Sequence, residues 1–84
     1  MTKMVYFAWV RERIGVSEEE IELPESVKTG AELLSWMKAR GENYANALEH
    51  ERAIRIAVDQ EHVDHAEAIG NPREIALFPP MTGG

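Results

Sequence analysis

The chain has 84 residues and contains no cysteine. This absence excludes disulfide bonds, thiolate metal sites and cysteine nucleophiles, and it agrees with a reducing compartment. No apolar run approaches the roughly 18 residues that are needed to span a membrane. The first segment, MTKMVYFAWVRERIG, is apolar and then basic, which reverses the order found in a secretory signal peptide. We therefore expect a cytoplasmic protein that makes no use of a membrane.

Positive charge is also scarce, because 9 Lys and Arg stand against 15 Asp and Glu, for a net charge of −6. An acidic surface repels phosphate backbones, so we expect no nucleic acid partner. The charge either speeds association with a basic protein partner or serves solubility alone, and both alternatives stay open. A chain of this length forms one domain.

Motifs for catalysis are missing as well. No glycine-rich phosphate loop of the Walker or dinucleotide type occurs, and no serine lies in a G-x-S-x-G turn. His62 and His65 have the spacing of two metal ligands, but no third ligand is suitably placed. We predict ordinary surface histidines and no metal site. The main part of the chain is therefore interpreted as a scaffold.

The first half of the chain alternates between strand and helix patterns. Residues 3–10, KMVYFAWV, predict a strand that is covered on both faces, or that has one face in the core and the other in an interface. One face would carry Met4, Tyr6 and Ala8, and the other would carry Val5, Phe7 and Trp9. A helical turn should follow over residues 10–14 and end at Gly15.

Residues 17–23, SEEEIEL, predict a half-buried strand that ends at Pro24. Glu19, Ile21 and Leu23 share one of its faces. The glutamates alternate along the strand and do not converge as metal ligands would. We interpret them as a solvated edge that resists pairing with another chain.

Residues 29–40 predict the main helix. Thr29 and Glu32 have the spacing of a capping box, and Gly41 is suited to close the helix. An apolar stripe at helical spacing marks its buried side, and it consists of Leu33, Leu34 and Met37. A second short helix should carry Tyr44, Ala47 and Leu48.

The second half predicts strands at 54–58, irregularly at 63–69, and at 74–78, with a polar turn at 59–62. A helix between strands lets a later strand lie parallel to the first. The order predicts an α+β fold with one main helix packed on one face of a small mixed sheet. The domain should span residues 1–78, because Pro79 and Pro80 cannot donate ladder hydrogen bonds.

The last residues, 79–84, read PPMTGG and predict an extended tail. The diproline stiffens its start, and Gly83 and Gly84 can pass through a narrow channel. Extended, this tail reaches at most roughly 20 Å. Its one reactive group is the carboxylate of Gly84, which ATP can activate as an acyl adenylate and a sulfur donor can then displace. A terminal Gly-Gly alone is weak evidence, since it arises by chance in roughly one chain in 200.

The segments FAWVRERIG and LFPPMTGG resemble those of molybdopterin synthase small subunits, which are ubiquitin-like β-grasp sulfur carriers. The resemblance covers the whole chain. It implies that an activating enzyme related to ubiquitin-activating enzymes uses ATP to adenylate Gly84, which then becomes a thiocarboxylate. The sulfur passes to precursor Z to form the dithiolene of molybdopterin. The resemblance also implies a sulfur donor protein, a heterotetramer with the large synthase subunit, and no stably bound cofactor.

The resemblance assigns the catalytic side chains to the large subunit, so this chain acts as a co-substrate more than as an enzyme. It places Phe7 and Phe78 on the partner-binding face of the sheet. The partner should also contact the tail through Pro79, Pro80, Met81 and Thr82. The chain departs from the family pattern at Trp9, at Asp59 and in the GNPRE turn before the last strand.

Other readings of the tail stay open. The chain could serve thiamine synthesis or tRNA thiolation, although the diproline and the length favour molybdopterin. It could be a non-covalent β-grasp binding module with a passive tail. It could also be a modifier that is conjugated to lysines, although it lacks basic residues before Gly-Gly. A self-sufficient enzyme fits least, because no catalytic constellation is present.

Overall fold

The computed structural model describes residues 1–80. The elements in chain order are β1 (Thr2–Tyr6), α1 (Ala8–Ile14), β2 (Glu18–Ile21), α2 (Gly30–Lys38), α3 (Glu42–Ala47), a 3₁₀ turn (Glu51–Ala53), β3 (Arg55–Val58), β4 (Glu61–Val63) and β5 (Glu74–Phe78). One mixed sheet has the strand order β2-β1-β5-β3-β4. The first and last strands, β1 and β5, run parallel at its centre, as the sequence predicts. Strand β5 occupies the predicted residues 74–78.

The core lies between one face of this sheet and the three helices. Met4 and Tyr6 of β1 are buried there, whereas Val5 lies on the opposite face and is half-buried. Helix α2 contributes the predicted stripe of Leu33, Leu34 and Met37, all fully buried. The structure therefore confirms the α+β architecture. The division between a domain ending at residue 78 and a tail stays a prediction.

The first strand is shorter than predicted. It ends at Tyr6 rather than Val10, because the Phe7 carbonyl accepts hydrogen bonds from the amides of Val10 and Arg11 and starts α1. Trp9 consequently packs beside the core from a helix instead of extending the face of Val5 and Phe7. The end of α1 is as predicted, since Gly15 adopts a left-handed φ of 101°.

Helix α2 begins as the sequence predicts and ends earlier. Both hydrogen bonds of the Thr29–Glu32 capping box are present. The helix ends at Lys38, with Ala39 as its C-cap, so Gly41 does not close it. Gly41 instead precedes α3, the predicted second helix.

The predicted irregular strand at 63–69 is wrong. The strand that pairs with β3 is β4, at Glu61–Val63, because Asp59 and Gln60 form a two-residue turn with φ values of 48° and 72°. Positive φ at both positions matches the type I′ turn that suits a tight hairpin. The following segment is held at the start of α2 by an isolated bridge between Thr29 and Ala68, and the amides of Gly30 and Ala31 donate to the carbonyls of Glu67 and His65.

Candidate functional site

Three aromatic rings stand on the sheet face that the helices leave uncovered. The rings of Phe7 and Phe78 lie with centroids 6.5 Å apart and planes at 81°. The imidazole of His62 lies 5.3 Å from Phe78, at 67°. Phe7 is 48% exposed, and His62 is exposed as well. We call Phe7, Phe78 and His62 the ring cluster.

Small apolar side chains form a floor beside the ring cluster. Val5 pairs with Ala76, Ala76 with Ala57, and Ala57 with His62, so one cross-strand row runs through β1, β5, β3 and β4. Because a strand alternates its faces, the side chains of this row all point away from the helices. The row and the ring cluster together form a largely apolar surface across four strands. A small protein rarely leaves such a surface without a partner.

A strained backbone places Phe7 at this surface. Ala8 has a φ of 52°, which lies in the left-handed region and is unusual for a residue with a Cβ. The amide of Phe7 still donates to the Leu77 carbonyl at 3.2 Å, so Phe7 is fixed to β5 before the chain turns into α1. Backbone strain of this kind persists only where the surrounding structure enforces it. Here it turns the chain into α1 directly after Phe7, whose ring lies against that of Phe78.

The chain leaves the sheet at the ring cluster. Phe78 is the last residue of β5, and Pro79 and Pro80 follow it, half-buried. The structure thus brings together Phe7, Phe78 and the diproline. The other predicted site residues lie outside the described residues, and they are Met81, Thr82, Gly83 and Gly84. The roles of all eight residues in binding or sulfur transfer stay predictions.

A carboxylate with four donors ties the helical layer to the sheet. Oε2 of Glu19 accepts hydrogen bonds from the hydroxyls of Tyr6 at 2.6 Å and Tyr44 at 2.7 Å. Arg40 binds the same carboxylate through two nitrogens, at 3.0 and 3.1 Å. We call these four residues the Glu19 network. It joins β2, β1, the end of α2 and α3.

The hydrogen bonds of the Glu19 network shift the pKa values of its members and so stabilise their charge states. Burial disfavours ionisation of Glu19, but the hydrogen bonds from Arg40 and the two tyrosines outweigh it and lower the pKa of the carboxyl. Burial, and then the hydrogen bond to Glu19, raise the pKa of Tyr6. The same two causes raise the pKa of Tyr44. All these groups are therefore held in their ordinary charge states at neutral pH, which suits a structural role.

The sequence pattern of β2 predicts the position of Glu19 but not its partners. The alternation in β2 already placed Glu19 on the same face as Ile21, which is buried. A carboxylate on a core-facing side needs donors, and that requirement was the available signal. The donors come from three distant parts of the chain, so the pattern within β2 could not identify them.

The two histidines with metal-like spacing have separate surroundings. His65 donates from Nε2 to the Ile54 carbonyl at 2.7 Å, whereas His62 belongs to the ring cluster. Residues 1–80 contain no group of three or more His, Cys, Asp or Glu side chains that could hold a metal ion. Within the same part of the chain, no helix is both long and apolar enough to cross a membrane.

Asp59 explains the turn before the last strand. Its Oδ1 accepts hydrogen bonds from the amides of Arg73 and Glu74, each at 3.0 Å. The β3–β4 turn thereby fixes the start of β5. The aspartate and the GNPRE segment, which both depart from the family pattern, are thus parts of one contact.

Solved structures define the class of this protein. A Pyrococcus furiosus protein assigned as subunit 1 of molybdopterin converting factor superposes with a TM-score of 0.72 and is 30% identical, covering 95% of this chain and 97% of that one. SAMP1 of Haloferax volcanii superposes with a TM-score of 0.70 at 23% identity, covering 99% and 98% of the two chains, and this likeness concerns the fold alone. The protein has the ubiquitin-like β-grasp fold.

Sequence comparisons identify the family. A sequence model of the ThiS family matches residues 4–84. Two relatives, from Haemophilus influenzae and Escherichia coli, are each 34% identical over 84 residues and are covered completely, as is this chain. Both are named molybdopterin synthase sulfur carrier subunit. The chain belongs to the ThiS family.

Proposed function

We propose that this protein is the sulfur carrier subunit of a molybdopterin synthase. The observation that carries the proposal is the alignment over the full length of relatives with that name. The alignment includes the Gly-Gly segment, which is the part of the chain that the chemistry needs. The exposed ring cluster at the start of that segment supports the same function, because a carrier must dock before it delivers its cargo.

The chemistry proceeds at the carboxylate of Gly84. An activating enzyme transfers the adenylyl group of ATP to this carboxylate and releases pyrophosphate. Hydrosulfide supplied by a donor protein attacks the acyl carbon, AMP departs as the acyl C–O bond breaks, and loss of the proton leaves a thiocarboxylate. The carrier then donates this sulfur to precursor Z, the pterin substrate of the synthase. ATP is consumed by the activating enzyme, and this chain holds no cofactor of its own.

Docking and delivery occupy adjacent parts of the chain. The large subunit of the synthase covers the ring cluster, and the tail that begins at Pro79 enters its active site. Six extended residues reach at most roughly 20 Å, so the active site of the large subunit can lie no deeper than this below the docking surface. The catalytic side chains belong to the large subunit, and two copies of each subunit form a heterotetramer in the cytoplasm.

The test is mass spectrometry after incubation with the activating enzyme, ATP and a sulfur source, with and without thiol alkylation. A chain without cysteine has no thiol of its own, so one alkyl group mapped to Gly84 reports a thiocarboxylate. Alkylation also separates this product from oxidation of Met81, which adds nearly the same mass as exchanging oxygen for sulfur. An unmodified terminus, in the presence of an activating enzyme shown to be active, would refute the carrier function.

Two variants complete the test. Deletion of Gly84 should abolish molybdopterin formation with the large subunit and precursor Z while leaving the melting temperature unchanged. Gly84→Ala is the matched control, because it keeps a C-terminal carboxylate and adds one methyl group. It therefore tests whether the tail must lack side chains at its end. Full activity of the deletion variant would refute the proposal. A thiocarboxylate that forms without supporting molybdopterin synthesis would assign the carrier to another pathway.

A further inference from the structure

The ring cluster contains one ring that can become charged. Phe7 and Phe78 are permanently apolar, but histidine is the side chain that ordinarily changes charge between pH 5 and 8. His62 is exposed on β4, the edge strand next to β3, and its ring rests against Phe78 at 5.3 Å. No described residue forms a hydrogen bond with this imidazole. The imidazole is therefore accessible to solvent and to a partner.

The charged residues beside His62 are a cation and a carboxylate that is directed elsewhere. Its direct neighbour on β3 is Ala57, and the diagonal neighbour on the same face is Arg55. Asp59 lies in the adjoining turn, and its Oδ1 accepts the amides of Arg73 and Glu74 at the start of β5. On β5 the outward charged residue is Glu74, which lies opposite Lys3 in the strand register, at the other end of β5 from Phe78.

The neighbours of His62 along the chain are also directed elsewhere. Glu61 pairs with Val58, which packs against the core, so its side chain leaves the sheet on the helical side. Asp64 follows the end of β4 and begins a turn with Glu67, whose carboxylate accepts the Asp64 amide. The surroundings of His62 on the uncovered face are thus aromatic and aliphatic, with a cation at Arg55 and the Asp59 carboxylate held at the start of β5.

We propose that the partner closes over His62 in its neutral form, so that docking of this carrier weakens as the pH falls from 7.5 to 5.5. The inference rests on the proposed function, because it concerns the same docking surface. A partner that covers the apolar floor and Phe78 must also remove water from the adjoining imidazole. Removing water from a charged group without a compensating partner is unfavourable. Protonation of His62 therefore opposes docking.

The size of the effect follows from linkage. For the reference imidazole of a model peptide, with a pKa of about 6.5, exclusion of the protonated form from a complex weakens binding about tenfold between pH 7.5 and pH 5.5. The same reference group releases about half a proton on binding at pH 6.5. A partner that presented a carboxylate to His62 would produce the opposite trend, with tighter binding in acid.

The experiment is isothermal titration calorimetry of the full-length chain with the molybdopterin synthase large subunit at pH 5.5, 6.5 and 7.5. The quantity compared is the ratio of the Kd at pH 5.5 to the Kd at pH 7.5. His62→Leu replaces the imidazole with an apolar side chain that cannot be protonated. Any pH dependence that this variant keeps therefore comes from other groups, including those of the partner. His62→Lys fixes a positive charge at this position. His50→Gln is the control, because His50 is 74% exposed and precedes the 3₁₀ turn, outside the ring cluster.

We expect a Kd ratio about tenfold larger for the wild type and for His50→Gln than for His62→Leu. His62→Lys should bind weakly at pH 7.5. Equal ratios for the wild type and His62→Leu, or tighter binding by the wild type in acid, would overturn the inference while leaving the carrier function intact. Absence of binding at pH 7.5 by the wild type and by His62→Leu would overturn both. Circular dichroism at each pH verifies that every variant is folded.

Discussion

Replacing Glu19 with glutamine tests how much of the stability of this small domain depends on the Glu19 network. The carboxylate accepts two tyrosine hydroxyls and two nitrogens of Arg40 at 2.6–3.1 Å, and its side chain is 22% exposed. Glutamine keeps the shape of the side chain and removes its charge. It also places an amide NH₂ group, which is a donor, beside the donors of Arg40 and the two tyrosines. Hydrogen bonds to charged groups contribute about 1.5–3 kcal/mol, and a buried donor left without a partner costs about as much. We expect Glu19→Gln to lower the free energy of unfolding by about 2 kcal/mol.

The neighbouring residue provides a matched control. Glu18 lies on the same strand and pairs with Lys3 at 3.2 Å, but the two side chains are 56% and 42% exposed. Exposed ion pairs contribute roughly 0–1 kcal/mol, so Glu18→Gln should have little effect. In thermal unfolding, Glu19→Gln should lower the Tm by about 8–16 °C. If both variants unfold at the same temperature, the network is not a major source of stability.

The pH dependence gives a second measure of the same interaction. Because folding lowers the pKa of Glu19, its contribution is present above the usual value of 4.5 and is lost as the pH falls through the folded-state pKa. The stability difference between the wild type and Glu19→Gln should therefore be full at pH 7 and shrink in acid below about 4.5. Urea unfolding at several pH values measures it. A difference that stays constant into strong acid would contradict the assigned charge.

Three further predictions concern the ring cluster and the local backbone. Phe78→Ala should weaken binding of the large subunit with little effect on unfolding. Leu77→Ala, which empties a fully buried position, should instead cost about 2–5 kcal/mol of stability. If the two variants weaken binding of the large subunit equally, the result would count against the proposed docking face. Thr29→Ala should cost about 1 kcal/mol through loss of the helix cap, measured by urea unfolding, whereas Ser35→Ala in the exposed middle of α2 should be neutral or slightly stabilising. Ala8→Val should lower stability by about 1–3 kcal/mol, because a β-branched residue is strained at a φ of 52°; an unchanged Tm would show that the backbone relaxes there.

The candidate site divides into a part that the sequence predicted and a part that it did not. Phe7 and Phe78 were assigned to one face through resemblance to a family, and the structure brings their rings within 6.5 Å. The sequence predicts an ordinary surface histidine at position 62, yet its ring lies against Phe78. The pattern around position 62 gave no sign of this contact, because the predicted strand began at Val63 instead of Glu61.

The sequence by itself determined the features that depend on neighbours along the chain. The capping box of α2, the stop at Gly15 and the bounds of β5 each follow from residues within a turn or a strand of one another. Such features are local because their hydrogen bonds and side-chain periodicity involve positions only a few residues apart.

Only the tertiary structure decided the features that depend on strand order and register. The chain turns into α1 at Ala8, which has a left-handed backbone, the donors of Glu19 come from β1, α3 and the segment after α2, and His62 meets Phe78. A one-residue change in register would turn His62 to the opposite face of the sheet. That register is set by the packing of the whole core against the sheet, which no short segment of the sequence specifies.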